Sequence, residues 1–340
     1  MGTIWIPPNK LVTFFEEKVG YKSGLALTRE EMVKHIAESN SITEALITQS
    51  DEPIRVRADA IEDAFQILLY KLGFLKQPFV GHGPTILDLK YRTDATKHQL
   101  FEKVLFQLGS YHFDKGKHAL SDGFNKVEFY KIIQTSLPSD AMEIATELID
   151  LIELSELASP WDWHPARQVD WQNTLALLDL FESESLDTMY GTFFDQRFID
   201  YLSSNFESLG EIHWRKFEAL TAEFFLRNGF DVDIGPGRND GGIDIRIWKN
   251  RLTEADPPTI LVQCKRQKQK VGKVIVKALW ADILDESAHS GLIVTSSALS
   301  PGADTIRRAR SYPINVADRE TLRKWLIQLR SPGNSVFLGW

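Results

Sequence analysis

In the last third of the chain, apolar positions repeat with short, clean periods. Trp214, Phe217, Leu220, Phe224 and Phe225 recur at helical spacing through Glu211–Asn228, and Gly229 stands where a helix would stop. Phe230–Ile234 reads as a short strand. In Ile243-Asp244-Ile245-Arg246-Ile247, alternation buries three isoleucines and turns Asp244 out of the core. Thr259–Lys265 alternates likewise, with Ile260, Val262 and Cys264 on one face and Gln263 and Lys265 on the other. Gly272–Glu286 predicts a helix, Gly291–Thr295 a buried strand, and Ser300-Pro301 the cap and first turn of a helix over Gly302–Arg310. Ile314–Val316 is a last strand, and Asp318 caps Glu320–Arg330, with Leu322, Trp325, Leu326 and Leu329 as its apolar stripe. The order αβββαβαβα predicts an α/β domain with a mixed central sheet flanked by helices.

Residues 1–205 read as mostly α-helical. Thr28 with Glu31 and Ser41 with Glu44 are capping-box pairs that open helices at Arg29–Glu38 and Ile42–Thr48. Ala58–Leu72 is strongly periodic and ends at Gly73. Helical patterns recur at His98–Leu108, Lys126–Thr135, Ser139–Leu157, Trp171–Phe181 and Phe193–Phe206, separated by breakers at Pro53, Gln77–Pro84, Gly116–Gly123, Pro138 and Pro160–Pro165. The predicted organisation is a helical N-terminal region (1–205), an α/β domain (211–330) and a tail (331–340).

The candidate chemistry sits in the α/β domain. As neighbouring strands, Gly241–Ile245 and Gln263-Cys264-Lys265 gather a carboxylate, an amide and an amine into one patch. A lysine within an apolar strand is expensive to bury unless it has a task, and the glycines before Asp244 let backbone approach a ligand closely. A carboxylate for a divalent cation, beside a lysine that offsets charge or positions water, suits hydrolysis of phosphodiesters. The plain alternative is a half-buried strand, in which every second residue is polar anyway.

The region resembles the Mrr-type restriction endonuclease domain, a branch of the PD-(D/E)XK nuclease superfamily. The likeness is carried by Trp214, Phe217 and Glu218, Asp240–Asp244, Val262–Arg266, Val271-Gly272, Gly291–Ser296, Ala303 and Leu322–Leu326. It spans residues 211–330 and does not extend to the N-terminal region. The resemblance implies DNA cleavage with Mg²⁺, or Mn²⁺ in its place, with Asp244 as main metal ligand and Lys265 as catalytic lysine. Gln263 stands where the wider superfamily carries Glu or Asp, and an amide oxygen holds a hard cation less firmly than a carboxylate. Glu218 is the expected further ligand; its plain alternative is a helical glutamate paired with Arg215. Asp240 is read as part of a turn. Arg266, Lys268, Lys270, Lys273 and Lys277 form a basic run expected to meet nucleic-acid backbone, with Thr295 and Ser296 adding neutral phosphate contacts. Restriction, or antiviral defence against foreign DNA, is the implied role. A repair or recombination nuclease, RNA as substrate, and a non-catalytic nucleic-acid-binding module remain as alternatives.

Charge divides at the same place. Residues 211–340 hold 20 Lys and Arg against 15 Asp and Glu, a net of +5, while residues 1–210 hold 19 against 32, a net of −13. Only the C-terminal part offers a polyanion a favourable field. The acidic part is expected to meet a protein partner or to shield the nuclease. Cutting both strands of a duplex implies two copies, so a homo-oligomer (a dimer or larger) is expected. A single cysteine excludes an intramolecular disulfide framework, and Cys264 is read as a core-facing thiol. No stretch is apolar enough for a membrane and the start lacks a signal-peptide pattern, so a cytoplasmic location is expected. Gly81–Pro84 reads as a turn, and Trp161–His164 with Trp171 as packing anchors rather than a base pocket.

Overall fold

A computed structural model describes residues 2–36, 42–76, 78, 81–115, 124–161, 171–237 and 242–330. The Ser41 cap, the break at 116–123, the Asp162–His164 stretch, the turn at Asn239–Gly241 and the tail 331–340 lie outside them. The chain forms two compact units. One takes in Met1–Lys71 and Leu75–Gln172, the other Leu72–Phe74 and residues from Asn173 onward. The second unit therefore includes residues 173–210, ahead of the segment that carries the nuclease motifs.

In the first unit, helices dominate: α1 (Pro8–Ser23), α2 (Arg29–Ile36), α3 (Thr43–Ile47), α4 (Ala58–Lys71), α5 (Gly83–Tyr91), α6 (Ala95–Lys115), α7 (Lys126–Ser136) and α8 (Ala141–Leu157). Short strands β1 (Thr3–Ile6), β2 (Leu25–Ala26) and β3 (Ile54–Arg57) accompany them, β1 and β3 pairing antiparallel with Trp5 opposite Arg55. The Thr28–Glu31 capping box is formed reciprocally: the Glu31 carboxylate accepts from the Thr28 amide at 2.7 Å, and the Thr28 hydroxyl accepts from the Glu31 amide at 3.2 Å. Gly81 sits in a turn held by Gln66, whose amide oxygen accepts from the Gly81 N–H at 3.0 Å. Trp161 stacks on Phe14 with centroids 5.4 Å apart, and the Trp171 indole donates to the Lys22 carbonyl at 3.1 Å. Both tryptophans are packing anchors.

The second unit is α/β. After β4 (Leu175–Ala176), α9 (Asp179–Glu182), α10 (Gln196–Ser204) and a 3₁₀ turn (Phe206–Gly210) come α11 (Trp214–Arg227), β5 (Asp231–Ile234), β6 (Ile245–Trp248), β7 (Ile260–Lys265), α12 (Lys273–Asp285), β8 (Ser290–Thr295), α13 (Pro301–Ala309), β9 (Ile314–Ala317) and α14 (Arg319–Leu329). The five strands from β5 to β9 form one mixed sheet in sequence order, antiparallel from β5 to β7 and parallel from β7 to β9. Ser300 and Asp318 cap α13 and α14 through their side chains, as the local sequence dictates. Leu261, Val271, Val276, Leu279, Ile283 and Ile293 build the core beneath α12.

Three expectations need correction. Trp171–Phe181 is not a continuous helix: the Arg197 guanidinium takes the Asn173 carbonyl at 2.8 Å, an acceptor that a helix would use, and the chain bends there before β4. The helix expected over Phe193–Phe206 begins only at Gln196. Asp195 caps it there, its carboxylate accepting the Arg197 N–H at 3.0 Å, while the amides of Thr192, Phe193 and Phe194 just ahead donate to one carboxylate oxygen of Glu223 at 2.9, 2.7 and 3.2 Å. Finally, β7 is not the half-buried strand of the plain alternative: it is central, and Leu261, Val262 and Gln263 are all buried.

Candidate active site

The site is assembled where the chain enters β6 and where β7 ends. Ile245 pairs with Val262 across the antiparallel ladder, which brings Asp244 beside Gln263. Asp244 is fixed by its backbone: its N–H donates to the Val262 carbonyl at 3.0 Å and its C=O accepts from Gly235 at 2.8 Å. One carboxylate oxygen accepts the Cys264 backbone N–H at 2.5 Å, taking the place of a ladder bond. The carboxylate is thus pre-positioned, at 8% exposure, by the strand it must work beside.

Gln263 is buried to 5% exposure. Its amide nitrogen donates to the Gly242 carbonyl at 2.8 Å, while its amide oxygen has no hydrogen-bond partner. Gly242 makes this fit possible: its φ of +98° favours glycine, and an added Cβ would come within 3.4 Å of the Gln263 amide nitrogen. A buried acceptor without a donor costs free energy, about 1–3 kcal/mol, and calls for a cation or a donor from outside the chain.

Lys265 closes β7, half-buried, opposite Thr295 in the parallel register. Thr295 donates its hydroxyl to the Lys265 carbonyl at 2.9 Å. Ser296 accepts from the Gln267 amide at 3.0 Å and donates to the Gln267 carbonyl at 3.2 Å. Both hydroxyls, read from sequence as phosphate contacts, are buried and bound to the segment that carries the lysine.

Helix α11 supplies the second carboxylate. The Cys264 thiol points at it, donating to the Thr221 hydroxyl at 3.7 Å, and Glu218 lies one turn earlier on the same helix. Burial first, then the negative charges of Asp244 and Glu218, push the Cys264 thiol well above its usual range. The thiol is inert as a nucleophile. Glu218, 5% exposed, accepts from the Arg215 guanidinium at 2.8 Å. The pairing with Arg215 that the sequence left as an alternative is therefore made. Among the described residues, no three His, Cys, Asp or Glu side chains converge as a metal cluster. Asp244 and Gln263 place one carboxylate and one amide oxygen side by side, both oxygen donors of the kind a hard divalent cation takes.

The basic run divides. Lys268, Lys270, Lys273 and Lys277 are exposed, whereas Arg266 turns inward and donates to the Gly210 carbonyl at 3.3 Å. At the C-terminal ends of β7, β8 and β9, a cleft of about 670 Å³ opens between Gln267, Lys268, Ser296, Ser297 and Asp318. Sequence reading missed this cleft; the signal for it is the parallel pairing of three consecutive strands, whose carboxyl ends converge on one edge. Glu223 and the Asp195–Arg197 pair were also missed. They are fully buried, and they brace the approach to α11 rather than the site.

Residues 209–326 match the family model Mrr_cat, described as a restriction endonuclease. An uncharacterized protein of Sinorhizobium fredii, y4cE, is 25% identical over 117 residues, which cover 34% of this chain and 30% of that protein. A solved structure of the MspJI restriction endonuclease in complex with a 27-mer oligonucleotide is 16% identical, with a TM-score of 0.27 over 60% of this chain and 45% of that one. The chain thus spans under half the length of each of these relatives. Among the described residues, no helix is long and apolar enough to cross a membrane.

Proposed function

We propose that residues 209–326, the stretch with the sequence of a restriction endonuclease domain of the Mrr_cat family, form a metal-dependent DNA endonuclease. Restriction of foreign DNA is its role in this reading. One observation carries the proposal: the buried, unpartnered oxygen of Gln263 lies next to a carboxylate, on the strand that ends in Lys265. A core strand gains nothing from an orphaned acceptor, whereas a site for Mg²⁺ or Mn²⁺ needs one.

Asp244 and Gln263 are the residues assigned to hold the cation, with Glu218 as third donor once Arg215 releases it. When bound, such a cation supplies Lewis acidity toward the scissile phosphate and acidifies water. The chain's own contributions are then separable. Asp244 and Gln263 fix where the phosphodiester lies, because both are immobilised by backbone contacts. Lys265 offsets the negative charge that develops on the phosphate and orients the attacking water. Lys268, Lys270 and Lys273 follow on the exposed side and attract the backbone of the duplex.

Cleavage of plasmid, linear duplex, single-stranded DNA and RNA with Mg²⁺ or Mn²⁺ tests the reading against Asp244→Ala and Lys265→Ala. Loss of cutting in both variants, with folding intact, supports it, and the substrate panel separates restriction of duplex DNA from repair of branched DNA or an action on RNA. Cutting that survives both substitutions overturns the assignment. The Arg215–Glu218 ion pair favours one competing reading, a non-catalytic module that only grips nucleic acid. In that case Mg²⁺ and Mn²⁺ leave the thermal stability unchanged.

A further inference from the structure

Two arginines of α14 stack on one aromatic ring and share one carboxylate. Arg319 and Arg323 are one helical turn apart, so they stand side by side on the same face of the helix. Their guanidinium carbons lie 4.8 and 4.2 Å from the centroid of the Phe206 ring, which is buried beneath them. Glu207 turns one oxygen toward each: Oε2 lies 2.5 Å from Arg319 and Oε1 4.0 Å from Arg323. The Glu207 side chain is 85% exposed. Glu207 and Arg319 also line the cleft at the carboxyl ends of β7, β8 and β9, together with Gln267 and Lys268. The Arg319 N–H donates to the Ser297 carbonyl at 3.3 Å, and the Ser297 hydroxyl donates to the Lys268 carbonyl at 3.2 Å. The arginines therefore stand on the edge of the sheet where β7 ends in Lys265, two hydrogen bonds from the segment that follows that lysine.

We propose that Arg319 and Arg323 form a binding site for a phosphate of the DNA backbone other than the scissile one, and that the Glu207 carboxylate occupies this site in the free protein. The assignment of DNA as ligand rests on the endonuclease reading. A phosphodiester, like a carboxylate, carries its charge on two oxygens of one atom, and two adjacent guanidinium groups accept such a pair. Glu207 already makes that contact, one oxygen to each arginine, so the geometry for an anion is present before any ligand arrives. Phe206 holds both guanidinium groups over its face, which reduces the side-chain freedom lost on binding.

The exchange of carboxylate for phosphate costs the fold little, because an ion pair as exposed as this one contributes little to stability. The positive end of the α14 dipole lies beside Arg319 and favours an anion there. Of the other carboxylates on the cleft, Asp318 accepts from the Thr321 amide and hydroxyl as the helix cap. Glu211 and Glu320 stand exposed at the rim, where water and salt screen them. A phosphate held at this edge fixes the register of the duplex against Lys265 without reading its sequence. The site escapes sequence reading because Glu207 and Arg319 are 112 residues apart.

Binding of the full chain to a short DNA duplex in EDTA tests the site apart from cutting. Arg319→Gln/Arg323→Gln is expected to weaken binding about 10-fold and to lower the slope of log K against log salt by about 1. Glutamine keeps an aliphatic stem over Phe206, and thermal unfolding checks that the fold is intact. Glu207→Gln is expected to tighten binding several-fold, whereas Glu211→Gln, on the same cleft, leaves it nearly unchanged. The double-mutant cycle decides: the gain from Glu207→Gln disappears once both arginines are glutamine. A gain that persists without the arginines, a salt slope indifferent to them, or an equal gain from Glu211→Gln each overturn the site. So does a wild type that does not bind the duplex. If wild type binds with the expected pattern but cuts nothing with Mg²⁺ or Mn²⁺, the endonuclease reading fails and the site stands. If wild type cuts, and the double arginine variant binds and cuts as well as it does, the reverse holds.

Discussion

Replacing Gln263 with methionine separates a structural amide from a functional one. The two side chains are close in volume, so little cavity or overpacking is introduced. The change removes the hydrogen bond to the Gly242 carbonyl, a loss of about 0.5–1.5 kcal/mol, and also removes the unpartnered buried oxygen, a relief of about 1–3 kcal/mol. The balance runs from roughly neutral to about 2 kcal/mol stabilising. In a unit of this size, 1 kcal/mol moves the melting temperature by about 2–4 °C, so the variant in EDTA melts at or a few degrees above wild type. Metal reverses the order. At ten times its dissociation constant, a cation adds about 1.4 kcal/mol to wild type, a rise of about 3–6 °C that the methionine variant lacks. Thermal unfolding followed by circular dichroism, in EDTA and across a Mg²⁺ series, reads both quantities. Gln263→Glu is the counter-variant: a second buried carboxylate beside Asp244 lowers stability in EDTA and enlarges the metal response. A loss of about 2 kcal/mol or more in EDTA for Gln263→Met would mean that the amide holds the fold. A full metal response in that variant would remove Gln263 from the ligand set. Either result refutes the reasoning.

Further outcomes follow from the same contacts. Lys265→Ala lowers cleavage by about 10²–10³-fold and changes denaturant stability by no more than about 0.5 kcal/mol, because the half-buried amine supports no core. Glu223→Ala leaves three backbone amides and the Arg227 guanidinium without their carboxylate, and guanidinium unfolding should register a loss of about 3–5 kcal/mol. Asp195 is held below its usual value of 3.8: burial opposes its ionisation, but hydrogen bonds and charge from Arg197 outweigh it. Its folded-state value is depressed, so its contribution is complete above the unfolded value and fades as pH falls through the folded one. Stability measured between about pH 4 and 2 should fall less steeply in Asp195→Asn. The Cys264 thiol, raised by burial, should resist alkylation at pH 8 and react only on unfolding, as mass spectrometry of iodoacetamide-treated protein would report.

Local sequence determined a good part of this molecule. The strand and helix periods between residues 211 and 330, the Ser300 and Asp318 caps and the Thr28–Glu31 box each depend on neighbours a few residues apart, and the chain folds there as its periodicity dictates. The candidate residues Asp244, Gln263 and Lys265 were legible for the same reason: polar groups at strand spacing inside apolar runs. Tertiary structure decided the rest. That Gln263 lies in a strand buried on both faces depends on which strands flank β7. The anchoring of Asp244 on the Cys264 amide spans 20 residues, and the contact of the Cys264 thiol with Thr221, one turn from Glu218, depends on how α11 lies against the sheet. Periodicity misjudged Trp171–Phe181 because a distant partner, Arg197, takes the Asn173 carbonyl, and it placed the start of α10 too early because Asp195 caps the helix at Gln196. A period in the sequence records which side chains prefer burial. It carries no record of which far-off charge will take an amide or a carbonyl first, and in this chain those competitions shaped the approach to the site.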